Sequence, residues 1–309
     1  MQKQTHYQDL NTFLRGHFGC RIQKITVDAG MTCPNRDGTL STGGCIFCNP
    51  AGSGTGAYRR GLSITRQIND ARERLKKRYK AKGFLVYFQA FTNTYAPVSR
   101  LRQLYDEAMA VPEVVGLAIG TRPDCVDKEK IDLIASCAQN GMVWVEYGLQ
   151  TAHDKTLRAI NRGHDVRAFE DAMALTCGKG ILTCAHIILG LPGETRDQMM
   201  ATADYIARSG VDGVKLHLLY VVRGTPLEAA WENGELVCMT QTAYVDAVCE
   251  FIERLPASMV IQRVTGDPHP NELISPAWSL KKTETLQLIH ERFDKKGTRQ
   301  GSLYPGTSA

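Results

Sequence analysis

Residues 114–147, VVGLAIGTRPDCVDKEKIDLIASCAQNGMVWVEY, contain two short apolar runs on either side of a helical pattern. The runs span residues 114–119 and 142–147, and short apolar runs of this kind predict buried strands. The pattern over residues 128–140 predicts a helix, and Gly141 is expected to cap it in the left-handed conformation. Two strands joined through a helix are expected to lie parallel in one sheet.

The same alternation of strands and helices extends from about residue 20 to residue 255. Six strand–helix pairs in succession predict a parallel sheet whose outer face is covered by helices. Such a series forms either an open doubly wound sheet or an incomplete barrel, and periodicity does not choose between them. In both folds ligands bind at the carboxyl ends of the strands. The strands are predicted at residues 22–27, 84–88, 114–119, 142–147, 181–189 and 214–219, and the helices at residues 64–79, 98–108, 128–140, 168–177, 195–209 and 240–254.

The alternation ends near residue 255. A short apolar run at residues 259–261 precedes a polar loop, and a last helix is predicted from residue 280 to about residue 293. We therefore divide the chain into a core domain, residues 17–254, and a C-terminal extension, residues 255–309, that packs on the core domain.

The composition is that of a globular protein, because 43% of its 309 residues are hydrophobic and 22% are charged. No apolar run approaches the roughly 18 residues of a membrane span. The first residues lack the apolar segment of a secretion signal. We therefore expect a cytoplasmic protein without a membrane partner, whose ten cysteines stay reduced. The formal net charge of +5 permits an anionic partner but does not require one.

Three cysteines, Cys33, Cys45 and Cys48, lie together in the loop after the first predicted strand. Thiolates placed close together bind zinc or an iron–sulfur cluster. A structural zinc site needs a fourth ligand, for which Cys20 is the candidate, although Cys20 lies before the strand. Three cysteines without a fourth leave one coordination position open, as in catalytic metal centres. The loop is rich in glycine, which lets the backbone wrap closely around a bulky group.

Four further segments at predicted strand ends accompany the cysteine loop, and an aromatic residue, Phe47, precedes its third cysteine. In this order the segments resemble the radical S-adenosylmethionine (radical SAM) superfamily, and over nearly the whole chain its YhcC-like bacterial family. The first cysteine interval is longer than in the common C-x3-C-x2-C pattern and is similar to that of the Elongator catalytic-subunit branch. The segments are FQAFTNTY (88–95), GTRPD (120–124), EYGLQ (146–150) and LGLPGET (189–195).

The resemblance implies an α/β fold, a (βα)6 partial barrel of the radical SAM type with a small C-terminal extension. It also implies a [4Fe–4S] cluster held by Cys33, Cys45 and Cys48, whose open iron binds exchangeable S-adenosylmethionine. In the family, one electron from the cluster splits this cofactor into methionine and a 5′-deoxyadenosyl radical. The expected function is therefore that of a radical SAM enzyme, which receives electrons from a donor such as flavodoxin or ferredoxin.

The resemblance also implies which polar residues at the strand ends contact the cofactor. Thr92 and Asn93 stand where the family has a glycine-rich motif that holds the methionine amino group, and the usual acidic residue is missing. Gln150 and Arg162 have the Gln-x11-Arg spacing of oxygen-independent coproporphyrinogen oxidases, in which the pair contacts the ribose and the carboxylate. Neither of these two is expected to touch the cluster. The full set of candidate contacts is Phe47, Thr92, Asn93, Arg122, Glu146, Gln150, Arg162 and His186.

Glu146 is a carboxylate in an otherwise apolar strand, so it must be paired or face a polar cavity. Side chains alternate along a strand, which places Glu146, Gly148 and Gln150 on one face. We expect this face to be the barrel interior, near the cofactor or the substrate. Whether Lys215 and His217, which share one face of the sixth strand, also point inward is left open by the pattern.

Residues 59–82 carry ten basic side chains against two acidic ones, Asp70 and Glu73. This basic segment is either a solvated helix face or a surface that contacts phosphates. Resemblance to the Elongator branch favours RNA, and tRNA in particular, as substrate and partner. Two alternatives stay open: a radical SAM enzyme that acts on a protein or small metabolite, and a non-enzymatic, zinc-stapled nucleic-acid-binding protein.

Overall fold

The computed structural model describes residues 5–49, 52, 54 and 56–306. The strands are β1 (Ile22–Val27), β2 (Gly83–Phe88), β3 (Val114–Thr121), β4 (Met142–Gln150), β5 (Leu182–Leu189), β6 (Gly213–Leu218), β7 (Val221–Val222), β8 (Val260–Arg263) and β9 (Leu273–Ser275). The helices are α1 (Leu10–Phe18), α2 (Ile64–Tyr79), α3 (Val98–Met109), α4 (Lys128–Ala138), α5 (Asp154–Ala159), α6 (Val166–Thr176), α7 (Arg196–Arg208), α8 (Pro226–Glu232), α9 (Gln241–Glu253) and α10 (Lys282–Lys296). Over these ranges, no helix combines the length and the apolar character that crossing a membrane requires.

The main sheet is entirely parallel. β1 to β6 pair in sequence order, and β8 pairs with β6 in the same direction. β7 and β9 form a separate antiparallel pair. The main sheet curls into a half-barrel, which confirms the predicted partial barrel and all six predicted strands.

The seventh strand of the sheet corresponds to a run that the sequence pattern indicates only as short and apolar. β8 lies after residue 254, in the predicted C-terminal extension, and pairs with β6 inside the main sheet. α10, also in that extension, packs against α9 and buries Ile289 and Phe293. The division of the chain at residue 254 stays a prediction.

The two faces of the sheet differ in chemistry because side chains alternate along each strand. On the outer face, Val86, Val145 and Ile187 belong to one continuous apolar core with the covering helices. Each is at least 99% buried, which contributes roughly 1.5–3 kcal/mol per side chain of this kind. This core fixes the strands, and with them the positions of the side chains that point inward.

The inner face begins with an apolar layer at the amino ends of the strands. Leu85, Trp144 and Cys184 are fully buried in this layer and pack with Leu14 of α1. The ring of Phe13 meets that of Trp144 edge-on, with 5.7 Å between the ring centroids. α1 contacts both β1 and β8, the two edges of the sheet. It therefore closes the amino end of the half-barrel.

The end of α4 differs from the sequence prediction. α4 ends at Ala138, and Gln139 at its end keeps right-handed backbone angles. Gly141 does not have a positive φ, so its prediction as a left-handed cap is wrong. A Cβ atom at Gly141 would lie 2.8 Å from the carbonyl oxygen of Val115. Glycine is needed there because the backbone entering β4 passes close to β3.

Candidate active site

A cavity of about 440 Å³ lies within the half-barrel and opens toward the carboxyl ends of the strands. Its wall combines the loop between β1 and α2 with inward side chains from the strands and with a loop that follows β8. A volume of this size accommodates a cofactor or a small substrate. Such a position is where ligands bind in folds built from parallel strands.

The three predicted metal ligands all line this cavity. Cys33 and Cys45 are buried and Cys48 is half-buried. The Cys48 amide donates to the Cys45 carbonyl at 2.9 Å, which makes a tight turn between these two ligands. Burial is the main cause that raises the pKa of the Cys48 thiol, and the nearby Cys45 adds to it, whereas the Arg36 guanidinium opposes the shift.

Two N–H groups are directed at the sulfur of Cys45. Asn35 Nδ2 donates toward Cys45 Sγ at 3.7 Å, and Arg162 Nη1 donates to the same sulfur at 3.5 Å. Donors aimed at a cysteine sulfur stabilise its negative charge and tune iron–sulfur clusters. The donor set of three thiols on one cavity wall, with two N–H groups at one sulfur, therefore fits a cluster held by three cysteines.

Cys20 lies at the opposite end of the sheet from the other three cysteines. It packs against the apolar layer that α1 covers, before β1 begins. The six residues of β1 separate it from the cysteine loop by about 20 Å. The structure therefore contradicts a zinc site built on Cys20.

Arg162 and Gln150 meet at the cavity, and glycine makes room for both. Arg162 Nε and Nη2 donate to the Gly148 carbonyl at 3.1 and 2.6 Å. Gln150 lines the cavity with a left-handed φ of 80°. A Cβ atom at Gly148 would lie 2.6 Å from Arg162 Nη2 and 2.7 Å from Gln150 Nε2. Arg162 is expected to stay clear of the cluster, and the structure shows that it donates to Cys45, one of the three predicted ligands.

Arg122 lines the cavity but its guanidinium is engaged elsewhere. Its Nε and Nη2 form a fork on Asp124 at 2.9 and 2.7 Å, and its Nη1 donates to the Arg162 carbonyl at 2.7 Å. All three nitrogens thus have protein partners. Arg122 positions the backbone at Arg162, and through it the donor to Cys45.

Thr92, Asn93 and Phe47 divide between the cavity wall and its support. Thr92 and Phe47 line the cavity. Asn93 is fully buried, and its Nδ2 donates to the carbonyls of Phe88 and Gly120 at 3.1 and 2.9 Å. It therefore ties the ends of β2 and β3 together and fixes the neighbouring Thr92 at the wall.

Glu146 forms the centre of a charged cluster in the barrel interior. Its side chain is fully buried, and Lys24 Nζ lies 2.6 Å from its Oε1. Its Oε2 accepts from His186 Nε2 at 2.9 Å and also contacts Lys215 Nζ. The inward direction predicted for Glu146 is confirmed, and the open question about Lys215 and His217 is resolved, since both line the cavity.

Burial and neighbouring charges have opposite effects on the pKa values in this cluster. Burial alone raises the pKa of Glu146, but Lys215 and Lys24 outweigh it and hold that pKa well below its usual range. Burial lowers the pKa of Lys215 to about 7, although Glu146 opposes the shift. Burial, followed by the charge of Lys215, lowers the pKa of His186 to about 4. His186 is therefore neutral at pH 7 and Glu146 is ionised.

The charged cluster lies deeper than the residues at the strand ends. Glu146 precedes Gln150 by four residues in β4, which corresponds to about 13 Å along the strand. Glu146 and His186 thus form the floor of the cavity, whereas Thr92, Gln150 and Arg162 lie near the cysteines. We name the charged cluster of Lys24, Glu146, His186 and Lys215 the floor, and the loop with Cys33, Cys45 and Cys48 the rim.

Sequence reasoning missed four residues of the barrel interior. Lys24 pairs with Glu146, and Tyr87 lies beneath Lys215, whose Nζ is 4.1 Å from the ring centroid. Gln262 accepts from Lys24 at 2.8 Å, and Arg263 lines the cavity. Alternation alone indicates the inward position of Lys24 in β1, since Ile25 and Val27 point outward. No sequence signal indicates its partner.

Comparison with known proteins identifies the family to which the chain belongs. The family model described as the radical SAM superfamily matches residues 37–206, and the model of the radical SAM C-terminal domain matches residues 211–295. An uncharacterized protein, YtqA of Bacillus subtilis, is 42% identical over 96% of this chain and 92% of its own length. Protein YhcC of Escherichia coli is 39% identical over 94% of this chain and 93% of its own.

More distant relatives share the fold or part of the sequence. A protein of Methanocaldococcus infernus named tRNA uridine(34) acetyltransferase is 25% identical over 60% of this chain and 34% of its own length. The solved structure of the Methanocaldococcus infernus Elp3 with an N-terminal deletion superposes with a TM-score of 0.70 at 18% identity, over 90% of this chain and 64% of that one. The rim, the half-barrel and these matches together mean that the chain belongs to the radical SAM superfamily, in its YhcC-like family near Elp3.

Proposed function

We propose that the chain binds a [4Fe–4S] cluster through Cys33, Cys45 and Cys48 and cleaves S-adenosylmethionine reductively. The observation that carries this proposal is the common cavity wall formed by the three cysteines, with the Arg162 donor at one of their sulfurs. A cluster held by these three thiolates would supply the one electron that reductive cleavage of the S-adenosylmethionine C–S bond requires. A small one-electron donor such as flavodoxin or ferredoxin supplies the electron.

The residues near the rim would hold and orient the cofactor. Thr92 and Gln150 offer a hydroxyl and an amide at the cavity wall, and Phe47 offers an apolar ring beside the cysteines. Arg162 is already bound to Gly148 and Cys45, so its role is to fix the rim rather than to bind a carboxylate freely. Glu146 and His186 lie too deep to share this role, and we assign them to the substrate end of the cavity.

We further propose that the substrate is RNA, and tRNA in particular. Two observations support this: the relative named as a tRNA uridine acetyltransferase, and the excess of basic residues in the basic segment. Part of that charge is neutralised, since Arg66 pairs with Asp70 at 3.1 Å and Lys76 pairs with Glu113 at 2.6 Å. Glu113 is a third acidic partner that lies outside the segment.

The basic segment has one end near the cavity mouth and one end far from it. α2 follows the rim loop and descends along the sheet, so its 16 residues span about 24 Å. Lys82, just after it, donates its amide to the Arg21 carbonyl at the amino end of β1. Arg59 and Arg60 are exposed at the mouth end, whereas Lys77 and Lys80 are exposed at the far end. A tRNA that presents a nucleotide to the cavity would therefore contact the mouth end.

The cofactor part of the proposal is tested with anaerobically reconstituted, chemically reduced protein. We expect about four irons per chain and release of 5′-deoxyadenosine from S-adenosylmethionine. Protein that holds the iron but never releases 5′-deoxyadenosine would contradict the proposed reaction.

The tRNA part is tested by binding at several salt concentrations. The affinity for tRNA should fall with salt at a log–log slope of about −0.7 to −0.9 per phosphate contacted. Changing Arg59 and Arg60 to Glu should weaken binding and flatten the slope, whereas changing Lys77 and Lys80 to Glu, an equal reversal of charge, should have a smaller effect. Equal effects of both pairs, or no salt-dependent binding, would turn the proposal toward a protein or a small metabolite as substrate.

A further inference from the structure

Three polar side-chain groups above the floor have no hydrogen-bond or ion-pair partner among the described residues. His217 Nε2 and Gln262 Nε2 are buried from solvent, and within the described ranges neither has a hydrogen-bond partner. Arg263 is half-buried and lines the cavity, and no described residue forms an ion pair or a hydrogen bond with its guanidinium. Buried donors of this kind are ordinarily satisfied, because an unmade hydrogen bond is unfavourable by about 1–3 kcal/mol.

A β-bulge directs one of these groups, the Arg263 guanidinium, toward the cavity. Between β6 and β8, Val214 pairs with Ile261 and the next residue, Lys215, pairs with Arg263, so Gln262 is an extra residue in β8. Bulges change the direction of side chains and occur frequently beside active sites. Here the bulge sets Arg263 opposite the inward-facing Lys215, although a regular strand would place residue 263 on the outer face.

The barrel interior carries more positive than negative charge. Glu146 contacts both Lys24 and Lys215, so the floor carries one excess positive charge whenever Lys215 is protonated, and Arg263 adds a further positive charge. Of the two acidic residues at the mouth, Asp267 pairs with Lys282 at 3.0 Å. Glu272 accepts from the neutral Asn49 amide at 2.9 Å and keeps its charge, but it lies at the mouth rather than among the charged residues of the floor. A buried excess of positive charge is unfavourable unless an anion compensates it.

We infer that the cavity binds an oxyanion, a carboxylate or a phosphate group of the substrate, between Arg263 and His217. The planar fork of a guanidinium matches both groups through paired hydrogen bonds. Lys215 also lines the cavity and lies below Arg263 on the neighbouring strand. The inference rests on the proposed function, because it describes the substrate end of the cavity whose rim would hold the cofactors.

The charge of the floor links anion binding to pH. The titratable groups that face Lys215 come from five strands: Lys24, Tyr87, Glu146, Cys184, His186 and His217, with Arg263 on a sixth. The pKa of Lys215 is about 7, so a nearby anion stabilises its protonated form. The affinity for the anion should therefore fall as the pH rises above 7.

The inference is tested by titrating the reconstituted holoenzyme with acetate and with inorganic phosphate in a calorimeter. We expect saturable binding of at least one of them at pH 7, weakened about tenfold or more in Arg263→Gln. Arg263→Lys keeps the positive charge but loses the planar pair of donors. Its affinity for the anion should therefore lie between that of the wild type and that of Arg263→Gln. Arg208→Gln, at an exposed arginine on α7, is the matched control and should bind as the wild type does. Iron content shows that each variant is folded and loaded.

The two probes distinguish the sources of the oxyanion. Tighter binding of phosphate indicates a nucleotide phosphate, whereas tighter binding of acetate indicates a carboxylate metabolite. No saturable binding to a wild-type holoenzyme that releases 5′-deoxyadenosine would overturn the inference and leave the proposed function standing, as would equal binding by wild type and Arg263→Gln. Anion binding that depends on Arg263, in a protein that never cleaves S-adenosylmethionine, would support the inference and contradict the proposed function.

Discussion

The rim and the floor bound one cavity, but the chain builds them in opposite ways. The three rim cysteines come from one loop of 16 residues, counted from Cys33 to Cys48, and short backbone hydrogen bonds shape that loop. The four floor residues come from β1, β4, β5 and β6, and Glu146 is 122 positions from Lys24. The rim therefore depends on local sequence, whereas the floor depends on the register of the sheet. Changes to the two regions should accordingly fail in different ways.

The largest effect is expected at the rim. Replacing Cys33, Cys45 or Cys48 by Ala should abolish iron binding in reconstituted protein, because each would remove one of three cluster ligands. Cys20→Ala is the matched control, since Cys20 lies in the apolar layer at the other end of the sheet, and it should keep its iron. If Cys20→Ala also lost its iron, the cluster ligands would not be confined to the rim, and the contrast between the rim and the apolar layer would be wrong.

A change at the floor should act on stability and leave iron in place. Glu146→Gln leaves Lys24 and Lys215 buried without their counter-charge, which should lower the free energy of unfolding by about 3–5 kcal/mol. Urea unfolding of the metal-free protein measures this. Glu170→Gln, at an exposed residue of α6, should change stability by no more than about 0.5 kcal/mol. Equal loss in both variants would mean that the floor is not a stabilising cluster.

The floor should also make stability depend on pH. The pKa of His186 in the folded protein is about 4 and that of an ordinary histidine is 6.5, so the unfolded chain binds more protons between these values. The free energy of unfolding should therefore fall as the pH drops from 6.5 toward 4, by up to about 1.4 kcal/mol per pH unit for this residue. Burial lowers the pKa of His217 as well, which adds to the same trend.

His186→Asn should reduce that slope in urea unfolding of the metal-free protein, whereas His17→Asn, at an exposed histidine of α1, should leave it unchanged. A free energy of unfolding that increases as the pH drops from 6.5 toward 4 would contradict the neutral state of His186.

The smallest effect is expected at the contact that joins the rim to the strands. Arg162→Gln removes the donor at Cys45 Sγ, so the cluster should become harder to reduce. A tenfold change in the ratio of the two redox states corresponds to about 60 mV, and we expect a shift of this order or less. Redox titration followed by electron paramagnetic resonance measures it. Arg158→Gln, at an exposed residue of α5, should keep the wild-type potential.

The same contrast explains what the sequence predicts and what it does not. The six strands follow from their apolar runs, and the rim follows from cysteine spacing within one loop. Glu146 could be recognised as a polar residue in an apolar strand, but its partners could not, because Lys24 and Lys215 become neighbours only through strand pairing. The inward position of Arg263 depends on a bulge that no periodicity indicates.

Two further differences have local causes. β8 is too short for a pattern to distinguish it from a loop, and only its pairing with β6 makes it a strand. Gly141 follows a helix as a capping residue does, but its real constraint is the nearby backbone of Val115, which sequence spacing does not contain.

Closure of the half-barrel by α1 has a consequence for the order of events during turnover. Within the part of the chain that the structure describes, the apolar layer and α1 seal the amino end, so the floor is reached from the side of the rim. Such a pocket has a single entrance. A molecule that binds at its floor therefore has to enter before a molecule that binds at its rim, and it has to leave after it. Whatever binds at the floor is thus first in and last out.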